Sequence, residues 1–572
     1  MPETTLCRDQ ILSEDYRDFI IGGIASDFLA NLLLDEYCRQ AADFDYECLY
    51  LPASVAEPIT FERFPYYTIP KCYAPISLET LDQAGILQIQ NFPSLQLKGR
   101  GILIGFLDSG IDYTLPIFRN PDGTSRIAGI WDQTVQDGPP PEFFSYGTEY
   151  SKTQLDVALR NENPLNIVPT TDEDGHGTFV ASLAAGSGNA DEAFLGAAPE
   201  STIAFVKLKQ AKRYLRDYYY IPENAVCYQE TDLLLGIKYL TGLATRLSLP
   251  LVLCISVGTS SGGHVAILPL SNALDSYAAR YNCVPVIGVG NEADKRHHYQ
   301  GGLQDASDTR TVEIRVGEGT TGFTLELWTS IPNLLSVSLE SPGGESTSDI
   351  PLRIEGSVNY SFLLERTRVN IDYRIIVEKT TAELIFFRFQ TPSAGIWKVQ
   401  VKPVRMLDGI FHMWLPITEF LGGEVFFLES NPYYTITNPG NTLRPLVMAY
   451  YDGGNNALAL SSGRGYELAG KYHPDLAAPG INVRGALPGG RYATRSGSCI
   501  SAAVSAGAAA LLLQWIRSYG GTMDGVPAAD AYLIKALFLI GAVQPDNMTF
   551  PNREWGYGQL NLFQVFEELR RL

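Results

Sequence analysis

Short apolar runs without polar alternation constrain this chain more than any other feature. Ile102–Leu107, Ile203–Leu208, Val252–Val257 and Val284–Val289 have no face suited to water, so strands made from them must be covered on both sides. Helical stretches lie between them at Thr178–Ala185, Asp232–Leu247 and Ala266–Tyr281. This alternation predicts an α/β fold with a parallel sheet flanked by helices. Two more helices, the Ala-rich Ile500–Tyr519 and Ala528–Ile540, are expected to close the same layer near the end of the chain.

Two segments break the pattern. Residues 1–95 carry a helical pattern from Asp15 to Ala42, with Phe19, Ile20, Ile24, Phe28 and Leu32 on one face, then strand-like pieces such as Tyr46–Leu51. They predict a small separate α+β unit. Between Asp308 and Phe427 the chain alternates polar and apolar residues at Thr311–Val316, Gly322–Thr329, Tyr373–Glu378, Glu383–Phe389 and Gly395–Val401. Turn-formers such as Ser341-Pro342-Gly343-Gly344 separate these pieces. An antiparallel β-sandwich inserted into the α/β layer accounts for them. The expected domains are therefore 1–95, 96–307, 308–427 and 428–572, the second and fourth forming one body.

With 572 residues the chain is too long for one ordinary core, and 45% hydrophobic against 19% charged residues is a globular balance. The formal charge of −20 repels phosphate backbones and anionic lipid, so neither nucleic acid nor membrane is expected as a partner. The apolar stretch Ala506–Trp515 falls short of the roughly 20 residues that span a bilayer. The first residues carry Asp9, Glu14, Asp15 and Asp18 rather than a basic-then-apolar leader, so no signal peptide is expected, and the protein is placed in the cytoplasm or a spore. Eight scattered cysteines without a Cys-x-x-Cys pair read as reduced thiols, and no Cys/His group has zinc spacing. No acidic cluster has calcium spacing, so no metal and no cofactor is expected.

Four segments bear chemistry. Gly105-Phe106-Leu107-Asp108-Ser109-Gly110 brings a buried strand to an acid, where functional groups of open α/β sheets gather. Asp108 there either caps the next turn or orients a histidine. Asp174-Gly175-His176-Gly177-Thr178 opens an apolar helix, and His176 is either structural or a base at the helix start. Val284–Val289 runs into Gly290-Asn291-Glu292, so Asn291 either donates its amide to a developing oxyanion or takes a left-handed turn. Ser496-Gly497-Ser498-Cys499-Ile500-Ser501-Ala502-Ala503 is a small-residue turn into a helix. Cys499 is either a buried structural thiol or a nucleophile whose pKa the helix dipole lowers.

Taken in chain order, Asp-Ser-Gly, His-Gly-Thr, Gly-Asn-Glu and Ser-Gly-Ser-Cys-Ile-Ser-Ala-Ala resemble the subtilases, the S8 peptidases. The resemblance covers about 85–307 and 428–565 and takes in Ser256-Val257-Gly258 and Pro474–Gly480. The β-rich insert and the acidic N-terminal unit are similar to the clostridial Csp germination-protease branch. The resemblance implies a subtilisin-like fold with a pro-segment and a jelly-roll-like insert, and a peptidase acting on polypeptides. It also implies that Asp108 orients His176, that His176 is general base and then acid, and that Asn291 with a backbone N–H near Cys499 forms the oxyanion hole. By the same resemblance Ser256, Val257 and Gly258 line the substrate cleft, and residues 1–95 are a pro-segment that the enzyme cuts from itself.

One departure divides the functional expectations. The family's nucleophile is a serine, whereas the ungapped match puts Cys499 in its place, with Ser498 and Ser501 as neighbours. At a helix start one residue is about 100° of rotation, which turns Ser498 away from the position of Cys499. The chain is then an endopeptidase with an Asp-His-Cys triad, or a pseudoprotease whose cleft serves binding or signalling, for example in spore germination. A third expectation, a carbohydrate-binding or adhesion protein, rests on the insert and on Trp328, Trp397 and Trp414.

Overall fold

The structure is a computed structural model that describes residues 3–22, 37–44, 46–61, 63–75, 83–264, 268–350, 355–376, 381–465, 467–468, 471–519, 529–546 and 548–571. Its main sheet has the strand order Ala457–Leu458, Leu446–Asp452, Cys283–Gly288, Leu251–Ile255, Leu103–Asp108, Thr202–Lys207, Ile127–Asp132, Thr148–Ser151. Leu476–Pro479 pairs beside Leu446–Asp452. The interior pairs are parallel, and only the two outermost strands, Ala457–Leu458 and Thr148–Ser151, run antiparallel.

Side chains of one strand point alternately to the two faces, and here both faces are dry. Ile104, Phe106, Val252, Cys254, Val284 and Val286 pack under the helices His176–Ala185 and Ser498–Tyr519. Leu103, Leu107, Leu251, Leu253, Ile255 and Ile287 pack under Glu230–Leu247 and Pro269–Ala278. The uniformly apolar runs follow from this double cover. Ser498–Ser518 is long and apolar enough to cross a bilayer, a longer stretch than the sequence suggested, but it is the core helix here, with 89% of its apolar window buried.

The N-terminal unit departs from the sequence expectation. Tyr16–Ile21, Tyr46–Pro52 and Cys38–Asp43 form an antiparallel three-stranded sheet with Tyr46–Pro52 in the centre. Both ends of the expected Asp15–Ala42 helix are therefore strand, while Ile24, Phe28 and Leu32 lie outside the described residues. The apolar run at Phe19 and Ile20 suits either period, and sheet pairing decides between them. Cys7 and Cys38 form a disulfide with a Cα–Cα distance of 5.2 Å, tying the helix Glu3–Leu12 to this sheet. The expectation of eight reduced thiols is thus corrected. The pair is 31 residues apart in sequence and gives no spacing signal. The other six cysteines are free and buried.

The insert is a sandwich of two antiparallel sheets. One has the order His298–Gly302, Ile410–Trp414, Gly322–Ser330, Ala382–Gln390, Thr367–Ile376, Glu355–Phe362. The other has the order Leu334–Glu340, Gly395–Arg405, Arg310–Val316, Val425–Phe427. Its first strand begins at His298, ten residues before the expected boundary. Leu325, Leu327, Ile385, Phe387 and Trp397 fill the space between the sheets. The other face of the larger sheet, with Trp328, Leu384, Phe386 and Trp414, packs on Phe61, Tyr66 and Tyr218. All three tryptophans behind the carbohydrate expectation are thus buried, with none exposed by more than 4%.

Candidate active site

Parallel pairing brings the carboxyl ends of Leu103–Asp108, Leu251–Ile255 and Cys283–Gly288 to one edge of the sheet, and the two core helices begin above them. Asp108 ends its strand fully buried. Its Oδ1 and Oδ2 lie 2.7 and 2.8 Å from His176 Nδ1, its Oδ1 accepts from the Ser109 N–H at 2.7 Å, and its Oδ2 accepts from Ser256 Oγ at 2.5 Å. It therefore caps its own turn and also orients the histidine.

His176 opens its helix and depends on Gly177 for its approach to Asp108. A Cβ on Gly177 would stand 2.2 Å from the Gly110 carbonyl oxygen and 3.1 Å from Asp108 Cβ, so only glycine lets the helix come this close. Gly175, the N-cap, offers no side chain. The buried Asp172 supplies the cap instead, accepting from the Gly175 N–H (2.9 Å), the Thr178 N–H (2.8 Å), Thr178 Oγ1 (2.6 Å) and Ser109 Oγ (2.8 Å). Neither Asp172 nor Ser109 was picked out in the sequence. An acid four residues before the histidine and a threonine two after it were the available helix-start signal.

With Nδ1 engaged by Asp108, the other ring nitrogen is left for Cys499, whose thiol is hydrogen-bonded to His176. Burial pushes the Cys499 thiol up, and nearby His176 offsets this only in part, so the net shift is upward. Desolvation at this fully buried sulfur opposes the lowering expected from the helix start. Burial alone would lower His176, but the Asp108 carboxylate, with smaller help from Cys499, holds it well above its ordinary 6.5. Burial would raise Asp108, and the charge and hydrogen bond of His176 hold it below 3.8.

Asn291 follows the strand Cys283–Gly288. Its Oδ1 accepts from the Ser498 N–H at 3.1 Å, and among the described residues its Nδ2 has no partner. The left-handed conformation belongs to Gly290 (φ +86°), which removes the turn alternative for Asn291. Ser498 is fully buried; its Oγ accepts from the Gly290 N–H at 3.0 Å, and Ser501 Oγ donates to the Ser498 carbonyl at 2.7 Å. Both hydroxyls brace the turn.

Of the three expected cleft residues, Ser256 turns its side chain to Asp108 and is buried, whereas Val257–Gly258 is an edge strand. That edge is taken by the chain itself. Cys72–Pro75 lies antiparallel between Val257–Gly258 and Tyr228–Gln229, pairing Pro75 with Val257, Ala74 with Gly258 and Tyr73 with Tyr228.

A doubly covered parallel sheet that gathers a buried acid, a histidine bonded to it and a cysteine at a helix start along its carboxyl edge has the layout of a triad-type peptidase of the α/β class. The subtilase family model matches residues 99–558, and the chain belongs to that family: by fold and family it is a subtilisin-like peptidase. Among solved structures it is similar to the Clostridium perfringens CspB protease at 28% identity and a TM-score of 0.75, over 86% of this chain and 99% of that one. A structure described as an S41 psychrophilic protease matches at 16% identity and a TM-score of 0.42, over 85% and 99%, too distant to bear on the site.

Proposed function

We propose that the chain is a cysteine-dependent endopeptidase whose first substrate is its own N-terminal unit. The observation that carries this is the Cys72–Pro75 strand held antiparallel between two cleft edges, the way an extended peptide is presented for cleavage. The bond to be cut then lies shortly after Pro75. The burial of Ala84, Ile86, Ile89 and Leu97 in the main core supports a cut between 75 and 84, ahead of the sequence-based boundary at 95.

In this mechanism His176 first loses its extra proton, then takes the Cys499 proton on Nε2 as sulfur attacks the scissile carbonyl carbon. Asp108 holds Nδ1–H and stabilises the imidazolium that forms. Asn291 Nδ2 and the Cys499 backbone N–H receive the oxyanion. The C–N bond breaks as His176 protonates the leaving amine, leaving a thioester that water, deprotonated by His176, hydrolyses. Other polypeptides would follow the same path, in the cytoplasm or a spore, and an acidic protein of this charge has no call on nucleic acid or membrane.

A silenced protease is favoured by one specific observation, the complete burial of the Cys499 side chain, which disfavours the thiolate. Mass and N-terminal sequencing of the full chain, Cys499→Ala and Cys499→Ser separate the two. Wild type losing about its first 75 residues while the alanine variant stays whole makes Cys499 the nucleophile. Processing by the serine variant alone makes the natural protein a pseudoprotease with a competent scaffold.

A further inference from the structure

The insert reaches the cleft through one carboxylate. In the strand Gly322–Ser330, Leu325 and Leu327 face the sandwich core, while Glu326 and Trp328 face the opposite way, toward the N-terminal unit and the cleft wall. Glu326 is 3% exposed and has three donors from three parts of the molecule. Its Oε1 accepts from Tyr66 Oη at 2.7 Å, and its Oε2 accepts from Trp328 Nε1 at 2.8 Å and from the Gly262 N–H at 3.0 Å. Tyr66 lies six residues before the cleft-bound strand, and Gly262 four residues after the edge strand Val257–Gly258.

The surroundings hold the same geometry. Gly263 rests on the Trp328 ring, where a Cβ would meet ring atoms at 3.1 Å. On the other side of the loop, Thr259 and Asn438 exchange backbone hydrogen bonds of 2.9 and 2.8 Å, and Asn438 Nδ2 donates to the Ser261 carbonyl at 2.7 Å. Lys71 Nζ stands 4.1 Å from the centre of the Tyr66 ring and donates to the Tyr66 carbonyl at 2.6 Å. A carboxylate buried this deeply persists only where donors surround it, so the loop, the insert and the N-terminal unit must be set together.

We infer that Glu326 is a positioning residue for peptide binding: it fixes the edge strand through Gly262 and the incoming strand through Tyr66, making the sandwich part of the substrate-binding apparatus. This rests on Val257–Gly258 being the edge that receives the peptide.

The test is hydrogen–deuterium exchange on the full chain carrying Cys499→Ala, which stays uncut, alone and with Glu326→Ala, Glu326→Gln or Tyr66→Phe. Glutamine keeps a carbonyl for the two N–H donors and an amide that can donate to the tyrosine oxygen, so it rescues. The expected result for Glu326→Ala is about tenfold faster exchange over Val257–His264 and Cys72–Pro75, with Leu103–Asp108 and Ala382–Gln390 unchanged. Tyr66→Phe, which removes a hydroxyl and little packing, loosens the same two segments by a smaller factor. Faster exchange throughout the sandwich, no rescue by glutamine, or unchanged exchange at Val257–His264 overturns the inference. In the Cys499 chain, Glu326→Ala is expected to slow self-cleavage, and Glu326→Gln to restore it. If wild type never cuts itself, the proposed activity fails, and the exchange result still decides the role of Glu326.

Discussion

Asp108 is gripped by the Ser109 N–H, the Ser256 hydroxyl and His176, so its charge is set by neighbours on three different elements. Asp108→Asn keeps the shape but puts the wrong hydrogen on His176, and self-cleavage is expected to slow by roughly 10⁴-fold in a timed gel assay. The site's pH behaviour follows from the same contacts. His176 is held protonated above its ordinary value, and it must be neutral to accept the thiol proton. Self-cleavage is therefore expected to climb with pH on the alkaline side. A flat rate from roughly pH 6 to 8 would instead mark a preformed thiolate. Stability has the opposite slope there. The raised His176 contributes fully below its unfolded 6.5 and loses its contribution as pH rises through the folded value. Asp108 contributes fully above 3.8 and loses its contribution as pH falls through its lowered one. Thermal melts of the Cys499→Ala chain should fall on the alkaline side, with a weaker slope after Asp108→Asn. The placement of Asp108, His176, Asn291 and Cys499 was legible because each sits at or just past a strand end or helix start whose turn residues are written beside it. Ser256 was assigned to the cleft because its contact with Asp108 depends on sheet order, which the local sequence does not state.

At the scale of elements, the helices that carry His176 and Cys499 approach the sheet more closely than ordinary side chains permit, at Gly177 and Gly288. Gly177→Ala is expected to push the His176 helix off Gly110 and Asp108, costing about 1–3 kcal/mol of stability by denaturant melt. A displacement near 1 Å also slows self-cleavage on the order of 100-fold in the timed gel assay. Four strands of the main sheet and its long helices were readable to within a few residues because a doubly buried strand has no competing pattern, whereas Ile127–Asp132 and Leu446–Asp452 were not singled out. Tyr16–Ile21 was not, since Phe19 and Ile20 bury equally well in either geometry and its partner Tyr46–Pro52 is about 30 residues away in sequence. The sandwich was legible as a kind of structure, but its attachment was not. Glu326 and Trp328 read as ordinary strand residues until the outer face of their sheet is placed against Tyr66 and Gly262.

Across the whole molecule, three bodies share one polar junction and one borrowed strand. The Cys72–Pro75 strand fills a gap whose two walls, Val257–Gly258 and Tyr228–Gln229, are short strands with N–H and C=O groups facing each other. Without that filler each wall is an open sheet edge, a template that any extended segment of another molecule can complete. A chain lacking residues 1–75 is expected to sediment as a concentration-dependent series of oligomers, and the intact chain as a monomer. The N-terminal unit then protects solubility as well as the cleft: whatever becomes of the bond after Pro75, the molecule needs that strand, or a substitute for it, to remain a discrete particle.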